Sequence, residues 1–209
     1  MSKASKPLRY WAARLRLGAE EAYAQLSSTS STFPTAVQSG LEAYRKQLTG
    51  IISIGGTAML PTLNRQAETS SEALERLLVR WLPRASGRSV FVGDVVAVQN
   101  TGSEGLFVRR VAAVEGDEMV TDSPEEKAFI LPQGQCWVLA DNEKLSHKEV
   151  TDSRSLGPLP FQQIAGRVLY ALRSSTDHNV VENSDAAMAA DGPVLQAELD
   201  LDELAAPER

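Results

Sequence analysis

Cysteine is nearly absent. Cys136 is the only one in 209 residues, so no disulfide framework closes within the chain and no cysteine-based zinc site is available. Its apolar and aromatic neighbours predict a buried structural thiol. Histidine is almost as scarce: His147 and His178 stand alone, without metal-ligand spacing, and read as surface residues, so no metal or cofactor is expected. No stretch reaches the roughly 18–20 consecutive apolar residues that a membrane-spanning helix needs. The nearest, around Leu48–Leu63, is broken by polar residues and glycine. Any membrane contact is therefore expected from the surface or through a partner.

The charges are unevenly placed. Residues 1–18 contain Lys3, Lys6, Arg9, Arg14 and Arg16 and no acid, whereas residues 174–209 hold nine acids and only Arg209 as a base. Without that tail the chain has 20 basic and 18 acidic residues, so the net charge of −6 belongs to the tail. Nothing in this balance points to a nucleic-acid surface.

What is present suggests three parts: a helical extension at 1–50, a β domain at 51–173 and an acidic extension at 174–209. Leu8, Trp11 and Leu15 share one face of a helix. With its basic residues, this start reads as an organelle-targeting or membrane-surface helix, or as a solvated helix docked on the domain. Residues 27–32 are all Ser or Thr and read as a linker. Val37, Leu41, Tyr44 and Leu48 predict a second amphipathic helix over Thr35–Leu48. From residue 51 the pattern changes to short apolar runs punctuated by turns: Ile51–Ile54, Leu77–Trp81, Val95–Val98, Leu106–Val111, Phe129–Leu131, Gln135–Leu139 and Gln163–Leu172. Such spacing predicts a mainly β, antiparallel domain. Ser70–Arg76 is helix-friendly, and Asp122–Lys127 reads as a charged loop. In the tail, Val194–Leu204 alternates apolar and acidic residues and fits a short strand or helix, in an interaction segment or a solvated end.

Four segments carry the chemistry. Gly56-Thr57-Ala58-Met59-Leu60-Pro61-Thr62 follows the first apolar run. Gly93-Asp94-Val95-Val96 feeds a strand rich in β-branched residues, where Asp94 reads as structural. Arg109-Arg110-Val111 leads to Gly116-Asp117. Ala140-Asp141-Asn142 precedes Asp152-Ser153-Arg154 and Gly157. In this order, over 51–173, the segments resemble the boxes of the signal peptidase I family, which includes bacterial leader peptidases and mitochondrial inner membrane peptidase subunits. The Arg-Arg and Asp-Ser-Arg segments and the acidic extension resemble a plant subgroup of signal-peptidase-like proteins. The resemblance implies a signal-peptidase-type β domain, signal or presequence processing at an organelle inner membrane, an extended peptide as ligand and membrane-protein partner subunits. It implies mitochondria, with plastids as the alternative.

The resemblance also exposes departures. The family writes the first loop as Ser-Met-x-Pro-Thr, with the serine as nucleophile; here that position is Ala58, whose methyl cannot attack a carbonyl, although a backbone N–H could still serve an oxyanion hole. The family's general base is a lysine kept neutral by burial. Its position holds Arg109, which stays protonated and has no acceptor lone pair. Arg109 is expected to pair with a carboxylate or to cap the old site, with Arg110 on the opposite face of the strand. The final box has Ala140 for glycine, and its nine-residue spacer Glu143–Thr151 is longer than the family's, which leaves the register of Ser146, the candidate supporting hydroxyl, open. Asp152 and Arg154 are expected to pair. Three functions follow: an inactive peptide-binding or assembly subunit; a working serine endopeptidase with an engineered Ala58 or a substitute nucleophile at Thr57 or Thr62; or a structural subunit of a membrane complex.

Overall fold

A computed structural model describes residues 6–28, 32–99, 105–120, 128–146, 148–174 and 176–206. Residues 29–31 of the Ser/Thr linker, the loop at 122–127 and His147 lie outside them. The chain forms two units: Met1–Thr49 with Gly192–Leu199, and Gly50–Asp191 with Asp200–Arg209.

The first unit is built on α1 (Leu8–Leu26) and α2 (Phe33–Arg45). Pro34 fits the first turn of α2, and the Thr32 N–H is met by Thr35 Oγ1 at 3.0 Å, so the helix starts earlier than its apolar periodicity suggests. It also stops at Arg45, freeing Leu48 to join a small core with Tyr10 and Val194, against which Ala13, Leu17 and Ala197 pack. The Tyr10 hydroxyl donates to Glu198 Oε1 at 2.7 Å, and Glu198 also receives the N–H groups of Leu48 and Thr49. The stripe of α1 that packs inward is thus Tyr10–Ala13–Leu17, with Tyr10 buried and the other two half-buried, while Leu8 and Leu15 are exposed. No helix among the described residues is long and apolar enough to cross a membrane.

The second unit is mainly antiparallel β. Its strands are β1 (Thr49–Gly55), β2 (Leu74–Trp81), β3 (Val95–Gln99), β4 (Leu106–Val114), β5 (Glu118–Met119), β6 (Phe129–Ile130), β7 (Gln135–Leu139), β8 (Leu159–Pro160), β9 (Ile164–Leu172) and β10 (His178–Val180). The main sheet runs β1-β2-β9-β3-β4-β7-β8, with β10 also on β9, and β5 and β6 form a separate ribbon. β9 is the hub. One edge carries β2 from Leu172 to Gly166, and the other carries β3 at Ile164–Arg167 and β10 at Tyr170–Leu172. Gly166 permits the approach of β2, because a Cβ there would lie 2.5 Å from the Arg80 carbonyl oxygen.

The unbroken apolar run of β3 has a physical cause. Val95 and Ala97 enter one buried cluster with Met59, Leu77, Val79 and Val168; Val96 and Val98 enter another with Val111, Cys136, Val138 and Phe161. A strand covered on both faces has no position left for the polar half of an alternating pattern. β2 begins at Leu74, so the helix-friendly stretch before it is turn followed by strand, and the helical turn lies earlier, at Arg65–Glu68.

The acidic extension is described at 174 and 176–206. It supplies β10, α4 (Asp185–Glu198) and α5 (Leu201–Ala205), so Val194–Leu204 spans the end of α4 and the start of α5, broken at Leu199-Asp200, and is not a strand. Asp191 is buried: Arg167 donates to it at 2.8 Å, and Arg80 lies 3.0 Å away. Arg167 also donates to Asp94 Oδ2 at 2.7 Å, and Asp94 accepts from Ser184 and the Phe91 N–H. Asp94 therefore joins the Gly93 turn, β9 and the extension, a structural use of its carboxylate.

Candidate functional site

The loop after β1 is shaped by its own backbone. Gly56 takes φ +78°, a conformation that a side chain would strain, and the chain then turns through a cis Leu60–Pro61 bond. Leu60 N–H donates to the Thr57 carbonyl at 3.2 Å and Leu63 N–H to the Met59 carbonyl at 2.8 Å. Met59 anchors the loop by entering the core. Asn64 closes it: its side-chain amide donates to the carbonyls of Gly56 and Ala73, both at 3.0 Å, while its N–H donates to buried Glu75. Burial pushes the Glu75 carboxyl up, opposed by the Asn64 N–H and by Arg173. Arg173 lies 3.0 Å from Glu75 Oε1, as an ion pair outside hydrogen-bonding geometry, and donates to the Thr62 carbonyl at 3.0 Å.

Against this loop stands Asp141-Asn142. The Asn142 N–H donates to the Ala58 carbonyl at 3.0 Å, and its side-chain amide donates to the Thr57 carbonyl at 2.8 Å. The Thr62 hydroxyl donates to Asp141 Oδ2 at 2.6 Å. Asp141 in turn receives Arg110 through Nε at 2.9 Å and Nη2 at 2.7 Å. Arg110 Nη1 reaches the Gly93 carbonyl at 2.7 Å. One arginine on β4 thus ties Thr62, Asp141 and Gly93 together.

Arg109, next on the same strand, is buried and does something different. Its guanidinium donates from Nε to the Thr151 carbonyl at 2.9 Å and from Nη1 to its neighbour Val108, and it lies over the Phe107 ring at 5.2 Å. Among the described residues its hydrogen bonds go to carbonyls and not to a carboxylate. Burial pushes its pKa down, opposed by the Asp152 charge.

Asp152 caps α3 (Ser153–Leu156). Burial would push its carboxyl up, but hydrogen bonds from the Arg154 side chain and from the N–H groups of Ala140 and Arg154 hold it below the usual range. Arg154 Nη2 lies 2.7 Å from Asp152 Oδ2, the internal pair expected from the sequence. The Ser153 hydroxyl accepts the Val138 N–H at 2.9 Å, and Gly157 ends the turn with φ +77°. Ser146 is elsewhere in use: it is exposed, and its hydroxyl donates to Glu149 at 2.7 Å.

The fold thus brings Gly56, Ala58, Met59, Thr62, Gly93, Arg110, Asp141 and Asn142 into one hydrogen-bonded assembly, and Asp152, Ser153 and Arg154 into a second beside Thr151 and Arg109. Pro61 lies on the exposed side of the loop, its carbonyl accepting from Arg65. Gly116 and Asp117 form the turn between β4 and β5, bonded to Leu131 and Val114, and Asp94 belongs to the Arg167 cluster. Sequence reasoning missed Asn64, Glu75, Arg167, Arg173 and Asp191. A lone acid in Leu-Glu-Arg-Leu-Leu-Val and a lone arginine in Ala-Gly-Arg-Val-Leu-Tyr are signals that a buried charge is being paired, but neither names its partner.

No family model matches the chain. It is 43% identical over 160 residues to mitochondrial ATP-independent inner membrane protease subunit 2 of Arabidopsis thaliana, covering 76% of this chain and 75% of that protein. It is 27% identical over 139 residues to mitochondrial inner membrane protease subunit 1 of Homo sapiens, covering 65% of this chain and 76% of that protein. Thylakoidal processing peptidase 1, chloroplastic, of Arabidopsis thaliana is 27% identical over 151 residues, covering 61% of this chain and 43% of that protein.

Proposed function

Since the chain belongs to the signal peptidase I family, among the mitochondrial inner membrane protease subunits, we propose that it is an inactive member: a subunit at the mitochondrial inner membrane that holds an extended peptide or supports a catalytic partner without cutting. The thylakoidal relatives make the plastid the alternative location.

One observation carries this reading. By the family resemblance, Ala58 occupies the nucleophile's position and Arg109 the base's, and the Arg109 guanidinium is committed to the Thr151 and Val108 carbonyls. Serine–lysine chemistry needs a hydroxyl and a neutral amine beside it. A methyl group supplies no nucleophile, and a guanidinium has no lone pair with which to accept a proton. Thr62 offers no obvious replacement, because its hydroxyl is spent on Asp141, a carboxylate already paired with Arg110. The loop is nonetheless held to Asn142 and Asp141 by three hydrogen bonds, through the Thr57 and Ala58 carbonyls and the Thr62 hydroxyl, which favours a retained binding role over decay of the whole region.

The test is cleavage of a presequence-bearing substrate by the purified chain, beside Ala58→Ser/Arg109→Lys. The expected result is no cleavage by the chain itself and retained binding of the peptide. Enzyme-like cleavage abolished by Thr62→Val or Thr57→Val would overturn the reading. Cleavage by the double variant alone would mark the chain as a peptide holder; binding by neither would favour assembly alone.

A further inference from the structure

The first unit presents an apolar face that its own core leaves uncovered. The helices of its hairpin are antiparallel: the Trp11 and Tyr44 rings lie tilted side by side, centroids 6.5 Å apart, and Arg14 donates to the Tyr44 carbonyl, while Gly18 meets Gly40 and Ala22 meets Gly40. The approach is close, since a Cβ on either Gly18 or Gly40 would stand 2.7 Å from the other's carbonyl oxygen. Measured round α1 from Gly18, Leu8, Leu15 and Leu26 fall at about 60–80°; measured round α2 from Gly40, Val37 and Leu41 fall at about 60–100°, with Phe33 nearer the seam. The rotational sense is the same in both helices, and because they are antiparallel both rows emerge on one side of the hairpin. Tyr10, Ala13 and Leu17 leave on the other side, toward Leu48 and Val194.

These side chains are open to solvent: Leu8 is 85% exposed, Leu15 61%, Phe33 70% and Leu41 49%. An apolar patch of this kind marks an interaction surface. The charges around it favour one occupant. Residues 1–50 carry seven basic side chains against three acidic ones; two of the seven, Lys6 and Arg14, are bonded to Tyr10 and the Tyr44 carbonyl and belong to the other side or the seam. Arg9 and Arg16 on α1 and Arg45 on α2 lie on the outer flanks of the two rows, Arg16 bonded to Glu20 at 2.7 Å one turn on; from there long basic side chains reach lipid headgroups while leucines enter the acyl boundary. Tyr10 and Gly18 are buried within the unit, so α1 is an integral part of a folded element.

We propose that this hairpin face docks on an anionic lipid bilayer, lying in its surface without crossing it. The proposal rests on the membrane location given above and is independent of whether the Ala58–Arg109 region holds a peptide. The test is flotation of the full chain with vesicles of phosphatidylcholine and phosphatidylglycerol in equal parts, beside phosphatidylcholine alone. Leu15→Asp/Leu41→Asp and Arg9→Glu/Arg16→Glu are compared with the parent, with circular dichroism and thermal melting to confirm that each folds. The expected results are preferential binding to the anionic vesicles, a loss of at least about tenfold in the leucine variant, and a loss of about fivefold per basic residue removed in the arginine variant, relieved in the parent by salt. Absence of flotation by the parent overturns the proposal, as does flotation unchanged in the leucine variant. Light scattering that shows a dimer dispersed by the leucine variant, without flotation, would assign the face to a second copy instead. Peptide binding, measured separately, is expected to survive both variants, so failure here and failure of the peptide-holding role are distinguishable.

Discussion

The Thr62 hydroxyl lies 2.6 Å from Asp141 Oδ2, joining two segments 79 residues apart in sequence. Through Arg110 the same carboxylate reaches Gly93. This contact binds the loop that carries Ala58 to the strand that carries Arg109. Thr62→Val is expected to cost about 1 kcal/mol, and Asp141→Asn about 1.5–3 kcal/mol, because the latter also weakens the Arg110 fork. The double variant should cost less than the sum, since both remove one shared bond. Urea unfolding of the four proteins measures the coupling; strict additivity would mean the contact carries no energy.

Glu75 predicts a pH dependence of stability. Burial raises its folded pKa above the ordinary carboxyl value of 4.5. The folded state then binds more protons than the unfolded chain between the two values, so this group's contribution is fully present below about 4.5 and is lost as pH rises through the folded value. Glu75→Gln keeps an acceptor for the Asn64 N–H and should remove that downward slope. Denaturant midpoints from weakly acidic to neutral pH, compared with the parent, give the answer.

Asp152 should act in the opposite sense. Its folded pKa lies below the ordinary carboxyl value of 3.8 because the Arg154 bonds and two N–H groups outweigh the effect of burial. Its contribution is present above the unfolded value and is lost as pH falls through the folded one. Asp152→Asn should flatten the acid limb of the stability profile. An unchanged acid limb would show that the Arg154 pair is not linked to folding.

Asp94 and Arg167 form a buried pair, and removing one partner strands the other. Asp94→Asn is expected to destabilise by about 3–5 kcal/mol, lowering the melting temperature by roughly 6–20 °C for a chain of this size. Asp191→Asn should also lower it, because Asp191 is held by both Arg167 and Arg80. Calorimetry of the single variants tests this; a shift within the range of an ordinary surface substitution would rule out the pair as a structural anchor.

Much of the β domain was legible from local pattern. Ile51–Ile54, Val95–Val98, Gln135–Leu139 and Gln163–Leu172 all fall on or within one residue of strands, because β-branched runs between turns have few other ways to bury themselves. The Asp152–Arg154 pair was legible for the same local reason, a cap and a turn two residues apart. The face of α1 was harder. Leu8, Trp11 and Leu15 share a side, but the side that packs is Tyr10–Ala13–Leu17, chosen by Leu48 and by Val194 from far along the chain. Periodicity identifies a stripe; it does not say which stripe meets the core.

By itself the sequence determined the strand segments, the order of the four boxes, the alanine at 58 and the arginine at 109, and the separation of basic and acidic ends. These follow from local chemistry: side-chain volume, branching, charge and the availability of a hydroxyl or a lone pair. Only the tertiary structure decided that β9 is the hub, that Asp141 serves Thr62 and Arg110 together, that Arg109 turns to backbone carbonyls, and that Asp191 of the acidic extension lies between Arg80 and Arg167. Each of those depends on which distant groups meet once water is excluded. A buried charge must find a partner, and the partner is selected by the topology that brings it within reach.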